Sequence, residues 1–293
     1  MFERHHILTA DAKRISNRIE LGRQMPQIPQ ISQISKPKVV VAIPCFNTER
    51  FVGDVVSRAK KYVDQVIVID DGSQDSTAVA AKTAGALVIN HRVNRGYGEA
   101  VKSCFEAAEA NAADVLVILD GDGQHNPDNL PQILAPILNG EADLVIGSRF
   151  LQPSQPKESA SLEPGVVRPP SLTSDSRLTT MPRYRRFGVS VITFLYNLGS
   201  KTKVSDTQSG FRAYTKKVYQ DFTLTEKGMG VSIETLEKAR RKGINIKEVP
   251  VSCLYVPSTL KLKAIRHGLG VALAVVRIRF KSILHSLVRG NYA

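Results

Sequence analysis

Two aspartates one residue apart follow a short apolar run, within the sequence Asp120-Gly-Asp122-Gly-Gln124-His125. A simple turn uses one Asp-Gly pair, whereas this stretch contains two. Carboxylate and amide oxygens are the hard ligands that magnesium and manganese prefer, and the glycines let the backbone approach a ligand closely. Asp120, Asp122 and Gln124 are therefore candidate ligands of Mg²⁺ or Mn²⁺ held against a diphosphate, with a plain turn and helix cap as the alternative. His125 is a candidate acid or base, although a structural hydrogen-bonding role is the commoner one for such a histidine.

Four further polar stretches follow apolar runs. They are PCFNTE (44–49), DDGSQD (70–75), NRGYG (94–98) and GSR (147–149). Ligands of open α/β sheets bind outside the carboxyl ends of the strands, so these stretches are candidate ligand contacts. Asp70 and Asp71 are suited to accept from a base N–H or a ribose hydroxyl, or alternatively to cap a helix. The glycines of NRGYG form an incomplete dinucleotide fingerprint, and the chain contains no GxxxxGK[ST] phosphate-binding loop.

The elements that must position these stretches alternate along the chain from residue 38. Five apolar runs, KVVVAIP, QVIVID, ALVIN, DVLVILD and ADLVIGS, are typical of strands, and segments with helical spacing separate them. This alternation predicts an α/β fold with a mostly parallel sheet and helices on both faces. The polar stretches should then share one edge of the sheet.

Other segments fall outside this alternation. Residues 1–36 are interpreted as an N-terminal arm, and residues 37–256 as the α/β domain. Within that domain, 151–181 is a Pro- and Ser-rich insertion, and 183–200 is an amphipathic helix with a basic start. Residues 257–293 contain a basic amphipathic C-terminal helix.

The composition limits the possible partners and location. The formal net charge of +13 indicates an anionic partner, and no acidic residue follows Glu248. The three cysteines form no paired motif, the N-terminus has no apolar signal core, and the longest C-terminal apolar run (268–276) is too short to span a bilayer. We therefore expect a cytoplasmic protein attached peripherally to the cytoplasmic face of a membrane. A non-catalytic basic module for membrane or nucleic acid is an alternative, but the acidic strand ends disfavour nucleic acid.

Taken together, the motifs resemble those of family 2 glycosyltransferases with the GT-A fold, and among them the dolichyl- or polyprenyl-phosphate sugar transferases such as dolichol-phosphate mannosyltransferases. The matching stretches are IPCFNTE (43–49), DDGSQDST (70–77), NRGYGEA (94–100), DGDGQH (120–125), GSRF (147–150), DTQSGFRAY (206–214), Glu234 and EVPV (248–251). The resemblance implies a Rossmann-like GT-A sheet. It also implies inverting transfer from a UDP- or GDP-linked sugar to a polyprenyl or dolichyl phosphate at the membrane surface.

The resemblance also implies roles for individual residues. Nucleotide contacts would come from Pro44, Asn47, Glu49, Asp70, Asp71, Gly98 and Asp120. The metal would be held by Asp120, Asp122 and Gln124. The acceptor phosphate would meet Arg149, Arg186 and Ser190, and the catalytic set would be Asp120, Asp122, Arg149 and Asp206.

The nature of the acceptor separates two hypotheses. A lipid phosphate is already anionic and needs positioning, for which the guanidinium fork is suited. A saccharide hydroxyl acceptor on the same fold would need a carboxylate base, and Asp206 is the best candidate for that role.

Overall fold

A seven-stranded sheet organises the part of the chain that the computed structural model describes, namely residues 36–151, 181, 183–198, 200, 202–254 and 273–278. Its strands are β1 (Val39–Cys45), β2 (Gln65–Asp70), β3 (Leu87–Asn90), β4 (Val115–Ile118), β5 (Leu144–Ser148), β6 (Arg212–Thr215) and β7 (Ile246–Pro250). They lie in the order β3-β2-β1-β4-β6-β5-β7. Only β6 runs antiparallel to its neighbours, β4 and β5. The predicted mostly parallel α/β sheet is therefore confirmed.

Helices cover both faces of this sheet. They are α1 (Glu49–Ala59), α2 (Thr77–Thr83), α3 (Tyr97–Ala110), α4 (Leu130–Leu138), α5 (Arg183–Asn197), α6 (Lys216–Asp221) and α7 (Val231–Arg241). One core layer packs α1, α2 and α4 against alternate strand residues such as Val41 and Ile43. The other layer packs α3, α5, α6 and α7 against the intervening residues such as Val40 and Ala42. Because side chains alternate across a strand, both sides of β1 are apolar and the strand is buried on two faces.

The strand directions bring the polar stretches to one edge of the sheet. Cys45 is paired with Asp70, and Asp70 with Asn90, so β1, β2 and β3 end level with one another. Strand β4 ends at Ile118 beside Ala42. The stretch 120–125 that follows, here called the acidic turn, therefore runs alongside the end of β1. Strand β6 begins at this edge because it runs the opposite way.

Several predicted segments fall largely outside the described residues. These are the N-terminal arm 1–36, the insertion 151–181 and most of the C-terminal segment 257–293. Residues 273–278 of the C-terminal segment are described and are helical, and α5 occupies most of the predicted helix 183–200. No helix in the described part of the chain combines the length and the apolar character needed to cross a bilayer.

Candidate active site

The acidic turn after β4 carries two carboxylates in unfavourable surroundings. Burial, followed by the negative charge of Asp122, raises the pKa of Asp120 to about 7. Burial also raises the pKa of Asp122, against the opposing effects of the Gln124 backbone N–H and of Arg185 and Arg149. Burial is the largest cause of both shifts, and the charges of the nearby arginines offset it only in part.

A divalent cation fits this donor set. Asp120 and Asp122 are partly buried, and each carboxylate is repelled by the charge of the other. The Gln124 amide lies two residues beyond Asp122. Among the described residues, no group of three or more acidic, histidine or cysteine side chains is gathered for a metal, here or elsewhere, so this candidate set consists of two carboxylates and one amide. Magnesium commonly binds through one or two carboxylates and completes its shell with phosphate oxygens and water. The metal roles of Asp120, Asp122 and Gln124 remain predictions that the chemistry of these residues supports.

The predicted nucleotide residues of the first loop tie that loop to the next one. Asn47 has a φ of 53°. Its N–H donates to Ser73 Oγ at 2.9 Å, and its Oδ1 accepts from the Gln74 N–H at 2.9 Å. Glu49 Oε2 accepts from the Ser76 N–H at 2.9 Å. The loops after β1 and β2 therefore form one cross-linked surface, and nucleotide contact by Asn47 and Glu49 remains a prediction.

The two aspartates after β2 are engaged with the protein itself. Asp70 Oδ1 accepts from the Ser73 N–H at 3.1 Å. Asp71 is buried, and its Oδ1 lies 2.6 Å from His91 Nδ1. It also accepts from the N–H groups of Arg95 and Gly96, each at 2.9 Å. Asp71 therefore shapes the loop after β3, a function that its motif did not reveal, while its contact with a nucleotide stays a prediction.

The glycines of the loop after β3 are explained by a close approach of another loop. Gly98 N–H donates to Lys227 O at 2.8 Å, and a Cβ on Gly98 would lie 2.0 Å from Glu226 O. Gly96 has a φ of 96°, a conformation that favours glycine. Packing between two loops thus accounts for Gly98, whereas its predicted nucleotide contact is untested.

Arg149 and Asp206 form a close ion pair at the same edge. Arg149 Nε lies 2.7 Å from Asp206 Oδ2, and Nη2 lies 2.9 Å from Oδ1. Asp206 is completely buried, and although burial raises its pKa, the hydrogen bonds and charge of Arg149 bring that pKa below the ordinary value. Glu248 accepts from the Asp206 N–H at 3.1 Å and so fixes the backbone of the pair. A carboxylate with a lowered pKa and a bound guanidinium is a poor general base.

The predicted acceptor residues on α5 are exposed. Arg186 and Ser190 both lie on the solvent side of the helix, and their contact with a phosphate remains a prediction. The neighbouring Arg185 is the arginine whose charge lowers the pKa of Asp122. Arg185 was not a predicted site residue, because the predicted pair, Arg186 and Ser190, was chosen for a spacing of four residues.

Two more residues near the acidic turn were not singled out from the sequence. Tyr97 OH donates to Asp120 Oδ1 at 3.0 Å. Arg212 is 2% exposed, and its positive charge lowers the pKa of Asp120. The guanidinium of Arg212 donates to backbone oxygens of Thr207 and Ser209 and thereby holds the loop before β6. The only sequence signal for both was their place inside the NRGYGEA and DTQSGFRAY stretches.

His125 is a buried, neutral ring. Its side chain packs edge-on against Phe211 at a centroid distance of 5.6 Å. Burial, aided by the charge of Arg149, lowers the pKa of His125 to about 4. Its Nδ1 has no hydrogen-bond partner among the described residues. This environment favours a structural role over the acid or base role, with packing against Phe211 as the contact that the structure shows.

Comparison with known proteins agrees with this arrangement. One relative is the UDP-N-acetylglucosamine--dolichyl-phosphate N-acetylglucosaminyltransferase of Methanococcus voltae. It is 29% identical to this chain, and the match covers 74% of this chain and 86% of that protein. Another relative is the polyprenol monophosphomannose synthase of Mycolicibacterium smegmatis. It is 30% identical to this chain, and the match covers 73% of this chain and 77% of that protein.

A solved structure shares the fold. Glucosyl-3-phosphoglycerate synthase from Mycobacterium tuberculosis, crystallised with Mn²⁺, UDP-glucose and phosphoglyceric acid, has a TM-score of 0.62. The match covers 83% of this chain and 79% of that chain at 21% identity, and it confirms the GT-A type of sheet. Residues 40–223 match the family described as Glycosyl transferase family 2. Because that match extends over more than half of the chain, the protein belongs to glycosyl transferase family 2.

Proposed function

We propose that the protein transfers a sugar from a UDP- or GDP-linked donor to a polyprenyl or dolichyl phosphate, with inversion at the sugar. The observation that carries this proposal is the Arg149–Asp206 ion pair, which lies at the same sheet edge as the acidic turn. It offers a fixed cation and leaves no free carboxylate on Asp206 to act as a base. Two relatives whose names include dolichyl phosphate and polyprenol support the lipid acceptor.

The residue types match the charges that such a reaction moves. An oxygen of the acceptor phosphate forms a bond to the anomeric carbon while the bond to the nucleoside diphosphate breaks. The acceptor oxygen carries no proton that must be removed, so a general base is unnecessary. Arg149 would position and screen the acceptor phosphate. Asp120, Asp122 and Gln124 would hold Mg²⁺ or Mn²⁺, which when bound neutralises charge developing on the leaving diphosphate.

The alternative, in which the acceptor is a saccharide hydroxyl, requires a general base that the Arg149–Asp206 ion pair does not provide. Asp206 would have to release Arg149 and take up a proton, although its pKa is lowered. Breaking a buried ion pair by neutralising one partner leaves an uncompensated buried charge, which costs about 3–5 kcal/mol. The geometry therefore favours an acceptor that arrives already ionised.

Helix α5 supports attachment to the membrane that carries the acceptor. Its exposed side includes Phe187 and Phe194, which are 72% and 64% exposed, and Leu198, directly after its last residue, is 60% exposed. Its first turn carries Arg183 and Arg185. An aromatic and aliphatic face with basic residues beside it is suited to the interface of an anionic bilayer. We accordingly propose peripheral attachment at the cytoplasmic face.

A panel of nucleotide-sugars tests the proposal directly. Each donor is incubated with a polyprenyl phosphate or with saccharide acceptors, in Mn²⁺ or Mg²⁺, and lipid-linked sugar is measured. We expect product from the lipid phosphate with at least one UDP- or GDP-linked sugar. We also expect Asp122→Ala to abolish transfer without unfolding the domain. Exclusive use of saccharides, or full turnover by Asp122→Ala, would overturn the assignment.

A further inference from the structure

We propose that Tyr97 is the positioning residue of the metal-binding carboxylate of Asp120. The inference rests on the proposed function, because it concerns the same metal site. Tyr97 would touch neither the sugar nor the acceptor. It would act by holding Asp120 in the one orientation that can bind the cation.

The Asp120 carboxylate is confined from two sides. On one side, the Tyr97 hydroxyl donates to Oδ1 at 3.0 Å, and this is the only hydrogen bond to Asp120 within the described part of the chain. On the other side lies Gly210, where an added Cβ would be 2.0 Å from Oδ2. The carboxylate therefore packs against a residue without a side chain while a single donor fixes its orientation.

Tyr97 is itself held firmly. It opens α3 between two glycines that pack against carbonyl oxygens of Glu226 and Lys227. Asp71 anchors the preceding residues by accepting from the Arg95 and Gly96 N–H groups. The position of the phenol is thus set by contacts on both sides of it.

The loop that contains Glu226 and Lys227 is fixed as well. Glu234 accepts from the Thr225 and Glu226 N–H groups at 2.9 and 2.8 Å. Arg277, in the described piece of the C-terminal segment, forms an ion pair with Glu226 at 2.5 Å. Rigid support of this kind around a ligand is what metal sites require, because their bond lengths tolerate deviations of only about 0.2 Å.

Tyr97→Phe isolates the hydroxyl, because it removes one oxygen atom and keeps the ring. Tyr62→Phe is a matched control, since the Tyr62 hydroxyl donates at a similar 3.1 Å to Asp128 Oδ1, an aspartate that is not among the candidate metal ligands. Mn²⁺ binding is measured by electron paramagnetic resonance of the free ion, with UDP and with GDP in separate series. The thermal midpoint in EDTA shows whether each variant is folded.

We expect Tyr97→Phe to weaken Mn²⁺ binding about ten- to a hundredfold, the usual effect of removing a group that supports a metal ligand. Tyr62→Phe should bind Mn²⁺ like the wild type. Equal Mn²⁺ affinity of Tyr97→Phe and wild type would overturn the proposal, as would equal losses in both variants. Failure of the wild type to bind Mn²⁺ would overturn it together with the metal site.

A double-mutant cycle gives a second measurement that needs no metal. The thermal midpoints in EDTA of Tyr97→Phe, Asp120→Ala and the double variant report whether the two side chains are coupled. We expect coupling, and its absence would refute the contact. Failure of the lipid acceptor in the transfer assay leaves both measurements intact, so the proposed function and the role of Tyr97 can fail separately.

Discussion

Gly210→Ala should disable the proposed metal site while leaving the sheet intact. A Cβ at this position would lie 2.0 Å from Asp120 Oδ2, whereas real Cβ contacts below 3.0 Å are essentially absent. One of the two groups must therefore move by about 1 Å, which exceeds the roughly 0.2 Å tolerance of a metal–oxygen bond several-fold. Misplacing a reacting group by about 1 Å can cost about a hundredfold in rate, and overpacking costs about 1–3 kcal/mol of stability.

The assay compares sugar transfer, Mn²⁺ binding and thermal midpoint in Gly210→Ala and in Gly53→Ala. Gly53 lies within α1, where an added Cβ would be 3.9 Å from Ala80 O, an ordinary contact. Gly53→Ala should keep full activity and gain up to about 1 kcal/mol of stability, because alanine is the better helix former. Wild-type Mn²⁺ binding by Gly210→Ala would refute the conclusion that Asp120 is confined at this point.

Two further predictions concern charge. Arg149→Ala and Arg186→Ala should raise the Michaelis constant for the lipid phosphate more than that for the nucleotide-sugar, and equal changes in both would contradict an acceptor role. In EDTA, the stability contributed by Asp120 should fall as the pH rises from 3.8 to about 7, because the folded protein retains a proton that the unfolded chain has lost. Thermal midpoints of Asp120→Asn should fall less, or rise more, with pH over this range than those of the wild type, and an identical slope would contradict the raised pKa.

The fold was largely predictable because its central strands are buried on both faces. Strands β1, β2 and β4 are short, continuous apolar runs, and the intervening helices show helical spacing. Strand β6 was not predicted, because its four residues include Arg212 and have no such pattern. Its place between β4 and β5 depends on pairing with residues far away in the chain, such as Ile118 and Ile146.

The location of the candidate site was predictable for a similar reason. Parallel strands end at one edge, so polar stretches that follow them must meet there. The role of each residue within the site was not predictable, because it depends on contacts between loops. The sequence of DDGSQD does not reveal that His91 and the Gly96 N–H bind Asp71. Likewise, nothing local in GSRF shows that Arg149 will be paired with Asp206.

Four of the aspartates at this edge divide according to their partners. Asp71 accepts from two backbone N–H groups and contacts His91, and Asp206 is bound to a guanidinium. Asp120 and Asp122 have fewer donors, and the pKa of each is raised. Carboxylates whose partners lie within the protein can be buried without further help, whereas the ionised form of a pair with few donors is stabilised when a cation binds. The same residue type thus builds the loops in two places, and in the other two it supplies the carboxylates that we propose as metal ligands.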